Sequence, residues 1–268
     1  MTVLRNTGMY LGRQVIVLLE DVGAMAQLLA QVFRFTPQLF RSARLFSEQM
    51  LEIGNRSLPL VLVVSLFSGA VTAVQASYQF QDWVPLVLLG STVFRSVVIE
   101  LGPVLTGLVV GGRVSAAIAA EIGTMKVTEQ VDALETLSIH PVRYLVLPRF
   151  WAGVVMLPVI TIIADILAIF GAWAVALLTI PNLSSHLFLE GIRMEFYPRD
   201  VFSGLLKAVF FGAIITITGS VFGLRAKGGA EGVGQATMKA VVASCLLILI
   251  LDYFLATVLF QVIFEGGL

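Results

Sequence analysis

Apolar residues along this chain gather into five long runs separated by short polar stretches. The runs extend from about Leu58 to Ala76, Trp83 to Gly112, Phe150 to Ile180, Val201 to Leu224 and Ala240 to Phe264. A helix needs about 20 residues to cross the hydrocarbon of a bilayer, so each run is read as a membrane crossing. The second and third are longer than one crossing needs, and they tilt or extend beyond the hydrocarbon. Ahead of the runs the pattern changes. Val15, Ile16, Leu19, Val22, Ala26, Leu29 and Phe33 recur at helical spacing, with Glu20, Asp21, Gln27 and Gln31 interleaved. That periodicity predicts a helix lying in the membrane interface, because a crossing would put Glu20 and Asp21 in lipid. Ala24-Met25-Ala26 has the form of a leader-cleavage site, but the apolar run before it is too short, and no cleavage is predicted. The chain thus divides into an N-terminal interfacial region, 1–56, and a transmembrane domain, 57–268.

Composition sharpens this picture. The 268 residues are 58% hydrophobic and 13% charged, whereas a soluble domain carries about a quarter charged residues. An all-α integral membrane protein with little room for a separate soluble domain is predicted. Its formal net charge is zero, which leaves no basic surface for nucleic acid. The single Cys245 excludes an intrachain disulfide and a thiolate metal cluster. His140 and His186 lie in connecting segments without a neighbouring ligand set and are read as structural or solvated.

Basic residues set the expected orientation. Arg5, Arg13, Arg34, Arg41, Arg44 and Arg56 precede the first run. Arg113, Lys126, Arg143 and Arg149 lie between the second and third, and Arg225, Lys227 and Lys239 between the fourth and fifth. The opposite loops hold Arg193 and Arg199. The positive-inside rule then places the N-terminus in the cytoplasm and the C-terminus outside.

The stretch between the second and third runs, AEIGTMKVTEQVDALETLSIHP, falls on the cytoplasmic side and carries Glu121, Lys126, Glu129, Asp132 and Glu135 within one helix length. Val127, Val131 and Leu134 share one helical face, while Glu129, Asp132 and Glu135 spread over another, and Pro141 ends the pattern. An amphipathic helix over about 120–140 is predicted. Resting on lipid is one use for it, but an acidic face is repelled by anionic inner-leaflet lipids and suits a basic protein partner better.

Two blocks carry a resemblance. Glu100 to Gly153, ELGPVLTGLVVGGRVSAAIAAEIGTMKVTEQVDALETLSIHPVRYLVLPRFWAG, is similar to the MlaE (YrbE-type) permease family of lipid ABC transporters, as is KGGAEGVGQATMKAVV, Lys227 to Val242. The resemblance spans essentially the whole transmembrane region. It implies that the 120–140 stretch is a coupling helix that docks on a cytoplasmic ATPase subunit, with Glu121, Lys126, Glu129, Asp132 and Glu135 as its charged residues. It also implies a homodimer, a STAS-domain protein on the cytoplasmic side, an MCE-domain protein on the periplasmic side and a bacterial inner-membrane location. ATP is then used by the partner. The nearest approach to a P-loop, Gly223 to Ala230, lacks the closing lysine and hydroxyl, so no cofactor site is expected in this chain. The glycines Gly228, Gly229, Gly232 and Gly234 are read as a tight flexible turn.

Ionisable residues within the runs are Arg95, Glu100, Asp165, Lys207 and Asp252. A charge at a helix centre costs about 2.5–3.5 kcal/mol on insertion scales, so such residues face protein or water. Asp165 and Asp252 are read as partners in structural ion pairs. The resemblance, with ELGP intact at 100–103 and a family lysine matched at Lys207, implies that Glu100 and Lys207 adjoin a lipid cavity. Some members carry arginine directly before the glutamate, where this chain has Ile99, and Arg95 is the candidate to replace it. Leu66, Val74 and Tyr78 are expected in the apolar wall that holds acyl chains. The expected activity is ATP-driven movement of phospholipid between inner and outer membranes that maintains outer-membrane lipid asymmetry. A proton-coupled secondary transporter using the intramembrane carboxylates is the alternative, although five crossings do not divide into two equal repeats. A membrane-embedded enzyme ranks last, since no nucleophile–base pair or metal-ligand cluster stands out.

Overall fold

The computed structural model describes residues 2–80 and 85–261. Trp83 and Phe264, the expected outer limits of the second and fifth runs, lie outside the described residues. Nine α-helices are described: α1 (Thr2–Phe35), α2 (Ala43–Phe80), α3 (Val87–Ser96), α4 (Gly102–Val127), α5 (Gln130–Thr136), α6 (Leu147–Thr179), α7 (Ser185–Met194), α8 (Pro198–Leu224) and α9 (Gly229–Leu259). A 3-10 segment, Thr36–Ser42, joins α1 to α2, and π-helical turns, Val97–Leu101 and Val142–Val146, lead into α4 and α6. Among the described residues there is no strand. Five stretches are long and apolar enough to cross a membrane, namely Ala43–Gln79, Val87–Val127, Val142–Thr179, Pro198–Leu224 and Gly229–Leu259.

Three of these helices begin well before the apolar runs do, and α4 ends well after its own. Val87–Val127 has 41 residues, about 60 Å at 1.5 Å per residue, roughly twice the ~30 Å of hydrocarbon. The surplus carries the charged residues beyond the apolar layer. Arg113, expected in a connecting segment, lies inside α4, where its guanidinium donates to Ser57 Oγ (3.1 Å) and the Glu52 carbonyl (3.0 Å) of α2. Those two acceptors satisfy the charge on a helix that sequence hydropathy cut short. The expected boundary at 56/57 likewise falls inside α2, which is continuous through it.

Close backbone approach organises the bundle. α2 and α6 run side by side in the same direction. A side chain at Gly69 would fall 1.8 Å from the Ala168 carbonyl oxygen, and one at Gly171 would fall 2.3 Å from that of Leu66. Small residues at such crossings let helices meet where the hydrophobic effect gives no drive. The pairs Gly107/Gly111 and Gly219/Gly223 join helices within this chain: the first meets Phe211, Ile215 and Ile248, the second Ser115, Ile118 and Ile122. Around these contacts Val61, Val110, Val114, Ile118, Leu157, Ile160, Phe211, Ile215 and Ile248 form the central core.

α1 docks on the end of the bundle that carries α5. Leu28 and Val32 are buried against Val131, Leu145, Phe150, Ile217 and Val221, and Asp21 pairs with Arg225 at 2.7 Å. The expected lipid-facing stripe is corrected in one respect. Ile16, Leu19, Val22 and Phe33 are exposed, but Leu29 packs against the protein with Met25. The helix has two apolar stripes, and periodicity alone had merged them. The glycine-rich turn is also shorter than expected. Gly228 and Gly229, at φ 89° and 69°, make the left-handed turn that non-glycine residues avoid, whereas Gly232 and Gly234 already belong to α9.

Candidate functional site

The polar centre of the bundle begins with a proline. Pro103 has no amide to offer the carbonyl four residues back, and its ring clashes there in a regular α-helix. The helix opens into a π-helical turn instead, with the Gly102 amide donating to the Val97 carbonyl, five residues back. The Leu147 amide reaches Val142 in the same way just before Pro148. Such insertions shift the phase of side chains by about 100° and occur often at functional sites. Glu100 lies within the first of these turns.

α8 presses onto the same turn, since a side chain at Gly204 would fall 2.1 Å from the Val98 carbonyl oxygen. Lys207, one turn along the same buried face, is 0% exposed. Its Nζ is 2.7 Å from Glu100 Oε1 and 3.0 Å from Asp252 Oδ1 of α9. One ammonium therefore bridges two carboxylates on two other elements. The cluster is closed at the lysine and open at the glutamate, whose side chain is 44% exposed against 19% for Asp252. Leu246, Leu249, Ile250, Tyr253 and Phe254 of α9 present an exposed apolar face along the element that carries Asp252. A charged pair with one exposed carboxylate beside such a face matches an amphiphile that has a polar head and apolar tails.

The other expected site residues are placed apart. Arg95 does not stand in for a charge beside Glu100; it turns to the α7 end, where its Nε is 3.1 Å from the fully buried Asp200 and Nη1 is 3.6 Å from Glu195. Asp200, out of water, draws the guanidinium there. Leu66 packs with its backbone against Gly171 of α6. Val74 lines a shallow apolar groove with Phe67, Val71 and Val175, and Tyr78 is 86% exposed. Asp252 is paired, as expected, but Asp165 is not. It is 8% exposed, has no ion pair among the described residues, and its Oδ1 abuts Gly102, where an added side chain would fall 1.7 Å away.

The stretch 120–140 is not one helix. α4 runs to Val127, Glu129 takes the left-handed conformation (φ 61°), and the seven-residue α5 follows until Ser138 turns at φ 62°. A β-branched pair, Val127-Thr128, and the local bond from Thr128 Oγ1 to the Thr124 carbonyl mark the break. Val131 is buried beside Leu28 and Val32 while Leu134 packs partly against the same cluster, but Val127 joins a separate group with Phe222 and Ala236. The charged residues divide as well. Glu121 pairs with the buried Arg149 at 2.6 Å, and Lys126 pairs with Asp132 at 2.6 Å. Glu129 and Glu135 remain exposed without an ion pair among the described residues. Sequence reasoning missed Arg149 as the tie between the start of α6 and the end of α4. Its place next to Pro148, after a break in helical pattern, was the available signal.

The Permease MlaE family profile matches residues 46–258. A probable ABC transporter permease protein of Rickettsia typhi is 42% identical over 97% of this chain and its own full length. A probable ABC transporter permease protein of Synechocystis is 38% identical over 87% of this chain and 89% of its own length. The intermembrane phospholipid transport system permease protein MlaE of Haemophilus influenzae is 35% identical over 93% of this chain and 96% of its own length. With five membrane-capable helices and this coverage, the chain belongs to the MlaE permease family of ABC transporters.

Proposed function

We propose that this permease is the membrane subunit of an ATP-driven phospholipid transporter in a bacterial inner membrane, acting as a homodimer between the inner and outer membranes and maintaining outer-membrane lipid asymmetry. The observation that carries this reading is the Glu100–Lys207–Asp252 cluster, a charged group inside an apolar bundle that is open at one carboxylate. Many phospholipid headgroups bring an amine, and the exposed Glu100 carboxylate offers a partner for it. Lys207 is held in place by its two carboxylates. Glu100 is the member that meets an incoming headgroup, and the second copy supplies the wall on its open side, with Leu66, Val74 and Tyr78 in the apolar surface. The name of the Haemophilus relative supports phospholipid as substrate.

The chain binds no nucleotide in this reading. A cytoplasmic ATPase subunit docks on the exposed Glu129 and Glu135 around α5, and a STAS-domain protein and a periplasmic MCE-domain protein complete the assembly. The N-terminus is cytoplasmic and the C-terminus periplasmic. Co-purification from cells expressing the genomic neighbours tests the reading: an ATPase bearing a P-loop is expected to accompany the tagged chain, and labelled phospholipid is expected to move only when ATP is supplied. Transport that ignores ATP and collapses with the proton gradient would establish the secondary-transporter alternative instead.

A further inference from the structure

Asp200 lies in the first turn of α8 and is fully buried. A carboxylate held out of water needs a cation beside it. Arg95, in the last turn of α3, supplies one at 3.1 Å, while Arg199 stands farther off at 4.0 Å. The Arg95 guanidinium also reaches Glu195 at 3.6 Å. One cation again spans two carboxylates, as Lys207 does with Glu100 and Asp252. Neither Arg95 nor Asp200 is ion-paired to a member of the Lys207 cluster among the described residues.

The two charged groups are nevertheless rungs of one interface. Asp200 and Lys207 are seven residues apart on α8, two turns, and so share a face to within about 20°. Arg95 and Glu100 are five apart, and in a regular α-helix they would diverge by about 140°. The extra residue of the π-helical turn removes about 100° of that, which leaves the offset of an ordinary i,i+4 pair. Both side chains therefore reach α8. Between the rungs α8 lies closest, where Gly204 meets the Val98 carbonyl. Pro103 demands an irregular turn ahead of it, but a proline alone does not dictate which residue is the extra one. Were the insertion to fall before Arg95, Glu100 would turn away from Lys207 by about 100°. Packing on α7 through Gly90 and Gly191 holds α3 in place, and the ion pair adds a directional contact from its last turn to α8.

We propose that the Arg95–Asp200 pair is a register lock. By fixing the last turn of α3 on α8 it keeps the extra residue between Arg95 and Glu100, and so keeps the Glu100 carboxylate on Lys207. Arg95 and Asp200 are positioning residues, which act on lipid through Glu100. The lock rests on the reading of the Lys207 cluster as the lipid-handling site.

ATP-driven transfer of labelled phosphatidylethanolamine by the reconstituted complex, with the ATPase subunit bound, provides the test. Arg95→Gln/Asp200→Asn removes both charges of the pair, leaves no buried carboxylate without its cation, and is expected to lower transfer about tenfold, the scale of a lost charge-assisted contact. Asp200→Asn alone leaves Arg95 with Glu195, is the safer variant for folding, and is expected to lower transfer about threefold. Arg95→Lys, which keeps a cation on Asp200, is expected to stay within about twofold of wild type. Because the lock works through Glu100, neither lock-breaking variant is expected to lower transfer further in a Glu100→Gln background. Wild-type transfer by the double variant, or losses that multiply with that of Glu100→Gln, would overturn the lock. So would an Arg95→Lys loss as large as that of the double variant. If the double variant does not assemble, Asp200→Asn decides by the same two criteria. Wild-type transfer by Glu100→Gln alone would overturn the cluster reading and the lock with it, whereas an impaired Glu100→Gln beside unimpaired lock variants would overturn the lock only.

Discussion

Lys207 of α8 and Asp165 of α6 are buried in the same bundle and approach the same π-helical turn, yet they are treated in opposite ways. Lys207, fully buried, is ion-paired to Glu100 and Asp252. Asp165, nearly as buried, meets Gly102 and has no ion pair among the described residues. Both are costly in lipid, but only the lysine belongs to a cluster that reaches an exposed position through Glu100. The difference separates a buried ion whose partners reach an exposed position from a buried carboxyl group that has no charged partner among the described residues. Asp165 acts as a wedge beside the turn, and Lys207 acts as a clamp across it.

Breaking the clamp has the largest expected effect. Lys207→Met leaves two carboxylates without their cation, and loss of one partner from a buried pair costs about 3–5 kcal/mol. A thermal unfolding series in detergent is expected to show that loss, and ATP-driven lipid transfer is expected to fall with it. The wedge gives the next effect. Gly102→Ala forces a methyl group against Asp165 Oδ1, with an expected cost of about 1–3 kcal/mol. In an Asp165→Ala background most of that cost is expected to vanish. A double-mutant cycle that shows simple additivity would mean that the contact does not matter.

Smaller effects sharpen the contrast further. Charge reversal at Glu129 and Glu135 is expected to weaken ATPase association by about 1 kcal/mol per site, as rim charges do. Reversal at Asp132 mainly disturbs its own pair with Lys126. A salt titration of the purified complex would separate the two cases. The smallest effect is expected for Asp165→Asn, which keeps the shape and exchanges one carboxyl oxygen for an amide nitrogen: stability should change by no more than about 0.5 kcal/mol. Asp252→Asn, at a paired position, should cost more.

The number of crossings was legible in the sequence because apolar runs of that length have one common use, and the ion-pairing of Asp252 followed from the cost of a lone charge in lipid. Helix ends were less legible. α9 begins at Gly229, eleven residues before its apolar run, because polar residues continue a helix once it leaves the hydrocarbon. The candidate site was half legible. Glu100 and Lys207 were recognised from their motif context, but nothing in the linear order shows that Asp252 joins them, or that Arg95 is drawn to a buried Asp200. Those facts depend on which helices adjoin. The break at Thr128–Glu129 was missed because an amphipathic pattern over 120–140 reads the same whether the helix is continuous or interrupted.

The most direct test of the Lys207 cluster is ATP-driven phospholipid transfer by the reconstituted complex carrying Glu100→Gln, at the open side of the cluster, where the side chain is 44% exposed and folding is least at risk. With the ATPase subunit still bound and hydrolysing ATP, transfer is expected to fall about tenfold, the equivalent of one charge-assisted contact. Transfer at the wild-type rate by that assembled complex would contradict the assignment of this cluster to lipid handling.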